Sequence, residues 1–459
     1  MTAFREVEQA DLQGNILCGY GARLPKALFT FIAIDDGHAG RRLLGELRPL
    51  ITSALPWPQR SEDQPTETLN LSLSFQGLVA LGVPQRFLRT FPDEFCEGMA
   101  GRADVLRDDR ATPPAKWDDG LRPGEPHALV TVYARDHRAL AGARARLAQM
   151  IERTDGLRVV HELDAALIET AEGYAREHFG FADGLAQPAI QGRAGPQTRP
   201  GQGTPVAASD WKDLAPGEFV LGYRDEDGMW PDAPREPLGR NGSFLVARKL
   251  RQDVALFNRY LEGEAGGNPD RRRWLAAKIV GRWQDGTPLA RRPNGPDADL
   301  ARDPDRLNDF RYGADSGGLS CPLGSHIRRA NPRDALGWEG ERTRRHRIIR
   351  RAMPYGPPLA EPQLQDDHPD RGLMFLCYQA SIARQFEVVQ GSWLADGDAF
   401  GLGDQEDFLL GCRDGTGRMT IQGKPPTFLS RRPGFVSLRG GEYFFAPGLR
   451  AVEALAEGL

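Results

Sequence analysis

The sequence predicts an α+β fold made of two ferredoxin-like units. Three observations carry that prediction. Between residues 26 and 169, strand and helix patterns follow in the order β-α-β-β-α-β. The second half alternates strands and helices again, interrupted by long Pro-, Gly- and Asp-rich stretches at 191–217, 286–320 and 352–371. The 459 residues are 40% hydrophobic and 27% charged, enough apolar material for a large core in a soluble globular chain.

Each element of the first unit has its own signal. "KALFTFIAID" (26–35) is rich in β-branched and aromatic residues and reads as a strand, and "GRRLLGELRPLITSAL" follows with a helical pattern. "LNLSLSF" alternates strictly, placing Leu69, Leu71, Leu73 and Phe75 on one face of a half-buried strand. A helical insertion over about 78–107 comes next, then the strand "HALVTVYA" (127–134). "HRALAGARARLAQMIER" (137–153) repeats apolar residues at three- and four-residue steps, as an amphipathic helix does. "GLRVVHELDAALIE" (156–169) returns as a strand.

In the second unit, "EFVLGY" and "GSFLVARKL" are strand candidates and "RQDVALFNRYLEGE" is a helix. "GLMFLCYQA" then reads as a strand, "SIARQFEVVQGSWL" as a helix and "GFVSLRGGEYFFAP" as a strand. Loops as long as the three intervening stretches are functional or wrap a ligand. The expected division is an N-terminal ferredoxin-like unit over 1–175 and a C-terminal one over 176–459 that carries the insertions.

The totals exclude several classes. A net charge of −4, from 59 basic and 63 acidic residues, argues against a nucleic-acid footprint for the whole chain. No run approaches the roughly 20 apolar residues that span a bilayer. The opening "MTAFREVEQADLQGN" has acidic residues and no apolar core, so it is not a secretory signal. Cysteines 18, 96, 321, 377 and 412 are odd in number and widely spaced, which reads as reduced thiols in a cytoplasmic protein.

The chemistry starts in "EHFGFADGLAQP" (177–188). Asp183 sits in a greasy, glycine-hinged loop, where a carboxylate is costly unless something uses its charge. Among the eight histidines (38, 127, 137, 161, 178, 326, 346 and 368), no zinc-type cluster exists. His326 stands out within "CPLGSHIRRANPR": one protein ligand is too few for zinc, but it is what haem iron takes on its proximal side. Haem propionates need arginines. Arg328, Arg329 and Arg333 follow His326, and "RIIRRAMPYG" (347–356) adds more beside apolar residues. Arg350, next to Ile and a Met-Pro turn, would be expensive unpaired, whereas Arg342, Arg344 and Arg345 read as surface solubility.

"FGFADG" (179–184), "GSHIRRANPR" (324–333) and "RIIRRAMPYG" together resemble the dye-decolourising (DyP-type) haem peroxidases. "DLQGNIL" (11–17), "GLMFLCYQASIARQF" (372–386) and "RGGEYFFAPG" (439–448) extend the resemblance over nearly the whole chain, and its length is similar to the family's larger members. The resemblance implies that two ferredoxin-like units form a dimeric α+β barrel, with one haem b in the C-terminal unit. It implies Asp183 and Arg350 as the distal pair and His326 as the proximal iron ligand. It also places Arg333 near a propionate, with Phe181, Gly184, Leu373 and Phe375 about the haem. Where some relatives carry Asn two residues beyond the distal Arg, this chain has Ala352, so the distal network would rest on Asp183 and Arg350 alone. Asp407 in "QEDFLLG" is the candidate carboxylate partner of His326, and Trp393 and Tyr355 are candidate electron relays whose other reading is plain packing.

The function implied is oxidation of dyes, phenols and similar aromatic donors by hydrogen peroxide through high-valent iron. An alternative keeps the haem but makes the chain a haem-handling or iron-releasing protein, in which Asp183 and Arg350 would be dispensable. A third reading takes "ERTRRHRIIRR" (341–351), with six arginines, as a polyanion patch on a haem-free protein. The physiological donor and the oligomeric state are left open, a symmetric homodimer being the commonest arrangement at this size.

Overall fold

The structure, a computed structural model, describes residues 6–108, 112–169, 174–193, 199–206, 210–337, 340–359, 364–365, 369–411 and 414–459. His368 and Cys412 lie outside the described residues. Strands β1 (Lys26–Ile34), β2 (Glu67–Leu73), β3 (Ala128–Ala134) and β4 (Leu157–Ala166) pair antiparallel in the order β4-β1-β3-β2. That is the sheet of a ferredoxin-like unit, with helices α1 (Gly37–Leu47) and α2 (His137–Glu152) as its crossovers. Both helices start where an Asp caps free backbone amides: Asp36 accepts from His38 and Ala39, and Asp136 from Ala139.

The second unit repeats the plan, with helix α3 (Val254–Ala265) after its first strand. Strands β5 (Ser243–Gln252), β6 (Ile349–Arg350), β7 (Met353–Tyr355), β8 (Gly372–Gln379) and β9 (Val436–Ala446) are ordered β9-β5-β8, with β6 and β7 both on the far side of β8. β6 and β7 are two pieces of one strand, broken at Arg351 and Ala352. The two sheets join at two narrow seams, Tyr355 of β7 opposite Ala165 of β4 and Phe445 of β9 opposite Leu73 of β2. The result is a barrel closed at those two points.

Closure explains the burial of both strand faces. Phe29, Phe31, Tyr133, Leu245, Leu376 and Phe444 form one cluster, while Leu28, Val130, Val132 and Val246, on the alternate face, pack in another with the helices. The expectation of a half-buried second strand is corrected on this ground. Thr68, Asn70 and Ser72 of β2 are buried too, and the side-chain Oδ1 of Asn70 accepts from the backbone N–H of Asn15.

"EFVLGY" is not a strand. A 3₁₀ turn (Pro216–Glu218) leads into a buried loop, because a short apolar run fits a buried loop as well as a strand. Several elements escaped the sequence reading, β6 and β7 among them. Helix α4 (Pro269–Val280) is capped by Asn268, has Pro at its first position and ends at Gly281 with φ +100°, yet the Arg271–Arg273 triplet hides its apolar face. A hairpin of Asp414–Ile421 and Thr427–Pro433 precedes β9. The helical insertion does form, and it crosses to the second unit: the Met99 amide donates to Glu442 at 2.7 Å, and Arg102 meets Glu387 at 2.7 Å. No helix among the described residues is long and apolar enough to cross a membrane.

Candidate active site

A cavity of about 310 Å³ opens between the outer face of β5 and β8 and the segments around Asp183, His326 and Arg350. Asp183, His326, Phe181, Arg333, Arg350, Leu373 and Phe375 all line it. Residues separated by up to 196 positions, Phe179 in "FGFADG" and Phe375 in "GLMFLCY", therefore meet at one site.

The loop that delivers Asp183 is held by its own backbone and by Glu177. The Asp183 amide donates to Ala175 O at 3.0 Å, and the amides of Phe179 and Phe181 donate to the Glu177 carboxylate at 2.8 and 3.0 Å. Gly180 and Gly184 take φ +91° and +74°, a conformation that side chains disfavour, so the sharp path needs glycine. Gly184 does not line the cavity. It acts through its backbone N–H, one of the donors that stabilise the charged Asp183.

Arg350 Nη2 donates to Asp183 Oδ1 at 2.7 Å. Both side chains keep accessible surface, 36% and 24%, because what they face is the cavity. Burial pushes the Asp183 carboxyl up, but the Arg350 charge, the Gly184 amide and the Arg350 hydrogen bond outweigh it and hold the carboxyl below its ordinary value. Reciprocally, Asp183 raises Arg350.

His326 opens the short helix α5 (His326–Ala330), and its Nδ1 lies 3.1 Å from Asp407 Oδ2. Asp407 is fully buried, and its other oxygen accepts from the amides of Leu409 and Leu410 at 3.0 and 2.7 Å. Burial raises this carboxyl, but His326 and those donors bring it below its usual value. With Nδ1 engaged, Nε2 is the ring nitrogen left to ligate a metal.

Three guanidinium groups in the wall, Arg282 and Arg333 buried and Arg347 half-buried, form no salt bridge among the described residues. Arg333 donates to Asn308 O and Phe310 O at 2.9 and 2.7 Å and lies 3.8 Å from the Phe310 ring centre, at the unusual φ of +54°. Arg282 reaches Gly286 O and Asn308 Oδ1, and Arg347 reaches Gly203 O and Gln202 O. Burial pulls Arg282 and Arg333 down to about 10 and Arg347 to about 9, as expected of cations with no carboxylate in contact among the described residues. An anionic group with apolar walls fits this donor set, to which Arg248 Nη1, buried without a hydrogen-bond partner among the described residues, adds a further N–H.

Several expectations are corrected here. Arg328 and Arg329 do not line the cavity: Arg328 holds Asp315 and Cys321 O, and Arg329 holds the carbonyls of Trp393, Asp396 and Gln405. Arg344 and Arg345 are no free solubilising surface, since they pair with Glu226, Asp227, Asp225 and the buried Glu218. Arg347 and Arg350 face the cavity, and Arg351 donates to Asn15 O and Ile16 O, so the arginine run makes no polyanion patch. Glu177, Gln252 and Arg248 line the cavity as well. Tyr355 is buried, and Trp393 is 9% exposed with its ring against His346. Arg282 and Arg248 escaped the sequence reading because nothing local marks them.

Known proteins share this fold. Residues 11–167 match the DyP dimeric alpha+beta barrel domain, and residues 224–402 match the Dyp-type peroxidase C-terminal domain. A dye-decolorizing peroxidase of Mycena epipterygia is 31% identical over 97% of this chain and 86% of its own length. A multifunctional dye peroxidase of Amycolatopsis sp. is 30% identical over 97% and 95%. A fungal DyP-type peroxidase structure from Auricularia auricula-judae superimposes with a TM-score of 0.83 at 28% identity, covering 98% of this chain and 100% of the other. The chain belongs to the dye-decolorizing (DyP-type) peroxidase family. It is an oxidoreductase of the peroxidase class, with the two-unit α+β barrel of that family.

Proposed function

We propose that the cavity holds one haem b per chain and that the protein uses hydrogen peroxide to oxidise dyes, phenols and related aromatic donors. The carrying observation is the convergence on one cavity of His326 with its Asp407 partner, the Asp183–Arg350 pair and three arginines without acids. A related structure is described as a dye-decolorizing peroxidase in complex with 2,6-dimethoxyphenol, which supports phenolic donors. When bound, haem supplies the iron at which peroxide is reduced and the oxidising power that donors consume.

The residues divide the remaining work. His326 Nε2 would hold the iron, while Asp407 fixes the ring through Nδ1 and makes the nitrogen more basic. Arg333, Arg282 and Arg347 would take the propionates. Asp183 accepts a proton from one oxygen of hydrogen peroxide and returns it to the other, which leaves as water. Arg350 offers fixed donors where charge grows on that leaving oxygen. Phe181, Leu373 and Phe375 keep bulk water from the pair. We infer a cytoplasmic setting from Cys18, Cys96, Cys321 and Cys377, all free.

The test is steady-state oxidation of a dye and of 2,6-dimethoxyphenol by the haem-loaded protein with hydrogen peroxide, beside an assay for iron release. Donor oxidation without iron release is the expected outcome. Iron release without donor oxidation would favour a haem-handling role, for which the Asp183–Arg350 pair has no use.

A further inference from the structure

We infer that Glu177 and Gln252 form a second proton-holding pair in the cavity, and that Glu177 is a positioning residue whose charge acts on Asp183 and on the entry of anions. The inference rests on the peroxidase reading and adds to it a residue pair outside the Asp183–Arg350 couple.

The first observation is a contrast between two carboxylates of one loop. Both line the cavity, but Asp183 holds a guanidinium, whereas Glu177 makes no salt bridge among the described residues. Instead Glu177 Oε2 accepts from the Phe179 amide at 2.8 Å and from Gln252 Nε2 at 2.7 Å, and Oε1 accepts from the Phe181 amide at 3.0 Å. Its charge is therefore tied to the turn that carries Asp183 two residues later.

The second observation is that Gln252 Oε1 is buried and has no hydrogen-bond partner among the described residues. The amide of Gln252 presents two donors at one end and an acceptor at the other, and a half-turn exchanges them. An ionised Glu177 accepts from the Gln252 NH₂ group. A protonated Glu177 donates its O–H to the Gln252 carbonyl once the amide turns. One neighbour thus serves both states, and an acceptor otherwise left bare gains a partner in the second.

The electrostatics agree. Burial pushes the Glu177 carboxyl up to about 7, and Asp183 adds to the rise against the three N–H donors. Asp183 moves the opposite way. Two carboxyls whose surroundings drive them apart are the mark of divided acid and base roles. The other charged groups nearby have partners of their own or lie elsewhere in the wall. Arg350 engages Asp183, Arg248 of β5 engages Asp108, and His178 meets Tyr355 O through Nε2. Arg282, Arg333, Arg347, His326 and His346 line the same cavity.

Below neutrality, then, Glu177 is uncharged and the cavity carries one carboxylate beside Arg350. Above it, a second carboxylate raises the proton affinity of Asp183 and repels anions.

The experiment uses the haem-loaded protein, wild type beside Glu177→Gln, with two readouts that need no turnover. One is the infrared carbonyl stretch of protonated carboxyl groups; the other is azide affinity, followed through the Soret band across pH. In wild type, a carboxyl band should disappear as pH rises through about 7 while azide affinity falls roughly tenfold, the effect of one nearby charge. Glu177→Gln should lack both changes. Persistence of both in Glu177→Gln would overturn the inference. Should that variant fail to fold or load, Gln252→Leu should move the wild-type step to higher pH, because the hydrogen bond it removes is stronger to the ionised carboxylate than to the protonated one; an unmoved step would overturn the inference equally. A protein that shows the step yet ignores peroxide would keep the pair and lose the peroxidase reading instead.

Discussion

His326 Nδ1 lies 3.1 Å from Oδ2 of Asp407, and Asp407 has no exposed surface of its own. The carboxylate is fixed by two backbone amides, Leu409 and Leu410, so it orients the imidazole rather than following it. Replacing it with Asn keeps the shape and removes the charge. Asp407→Asn is expected to raise the ferric/ferrous midpoint potential and to slow the reaction with peroxide about 10- to 100-fold, the usual cost of losing such a partner. Spectroelectrochemistry of the loaded protein checks the first effect and rapid mixing the second.

The unpaired arginines predict opposite effects on the empty and loaded protein. A buried cation without an anion costs stability, so Arg347→Leu or Arg333→Leu should leave the haem-free chain as stable as wild type or more so. The same variants should release haem faster. Thermal unfolding of the haem-free protein and haem transfer to an acceptor globin measure the two sides. A variant that weakened both states equally would mark the arginine as structural.

Stability should be greatest in mild acid. Burial pushes the carboxyls of Glu177, Glu218 and Glu442 up to about 7 from an ordinary 4.5. Between those values the folded chain binds more protons than the unfolded one, so stability falls as pH rises across that window. Asp183 and Asp407 run the other way. Held below 3.8, they stabilise the fold above that value, and their contribution is lost as pH falls through their folded values. The melting temperature should therefore peak at about pH 4 to 5. Glu442→Gln, far from any role in chemistry, should flatten the neutral limb and leave the acid limb intact.

Arg248 and Asp108 form a 2.7 Å ion pair in which each side chain is only 3% exposed. Asp108→Ala leaves the guanidinium buried alone and is expected to cost about 3–5 kcal/mol. Adding Arg248→Met should recover most of that loss, because the uncompensated charge goes with it. Denaturant unfolding of the haem-free single and double variants gives the comparison.

How much of this was legible in the sequence depends on how local each signal is. Asp183, His326 and Arg350 stand in short stretches whose residue types conflict with a plain core: an acid in an aromatic–glycine loop, a lone His after a Gly-Ser turn, an Arg beside Ile. Asp407 lay in a weaker stretch, yet it reaches His326. The strands of the first unit were readable because alternation and β-branching are properties of adjacent residues. Arg282 and Arg248 were not readable, since each owes its place to the end of a helix or the pleat of a strand whose neighbour is distant in the chain. Arg328 and Arg329 misled for the converse reason: being near His326 in sequence, they point instead into carbonyl and carboxylate partners beneath α5. Glu177 stood in plain view beside Asp183, but only the register of β5 brings Gln252 against it.

The Asp183–Arg350 pair is most directly tested by rapid mixing of the haem-loaded protein with hydrogen peroxide, followed through the Soret band. Wild type should be run beside Asp183→Ala and Arg350→Ala at about pH 4 to 5, where the depressed carboxyl is still ionised. A fast spectral shift in wild type, slowed roughly 10²- to 10³-fold in at least one variant, is the expected result. Variants that react as fast as wild type, or a wild-type Soret band that ignores peroxide, would contradict the assignment of this pair to peroxide activation.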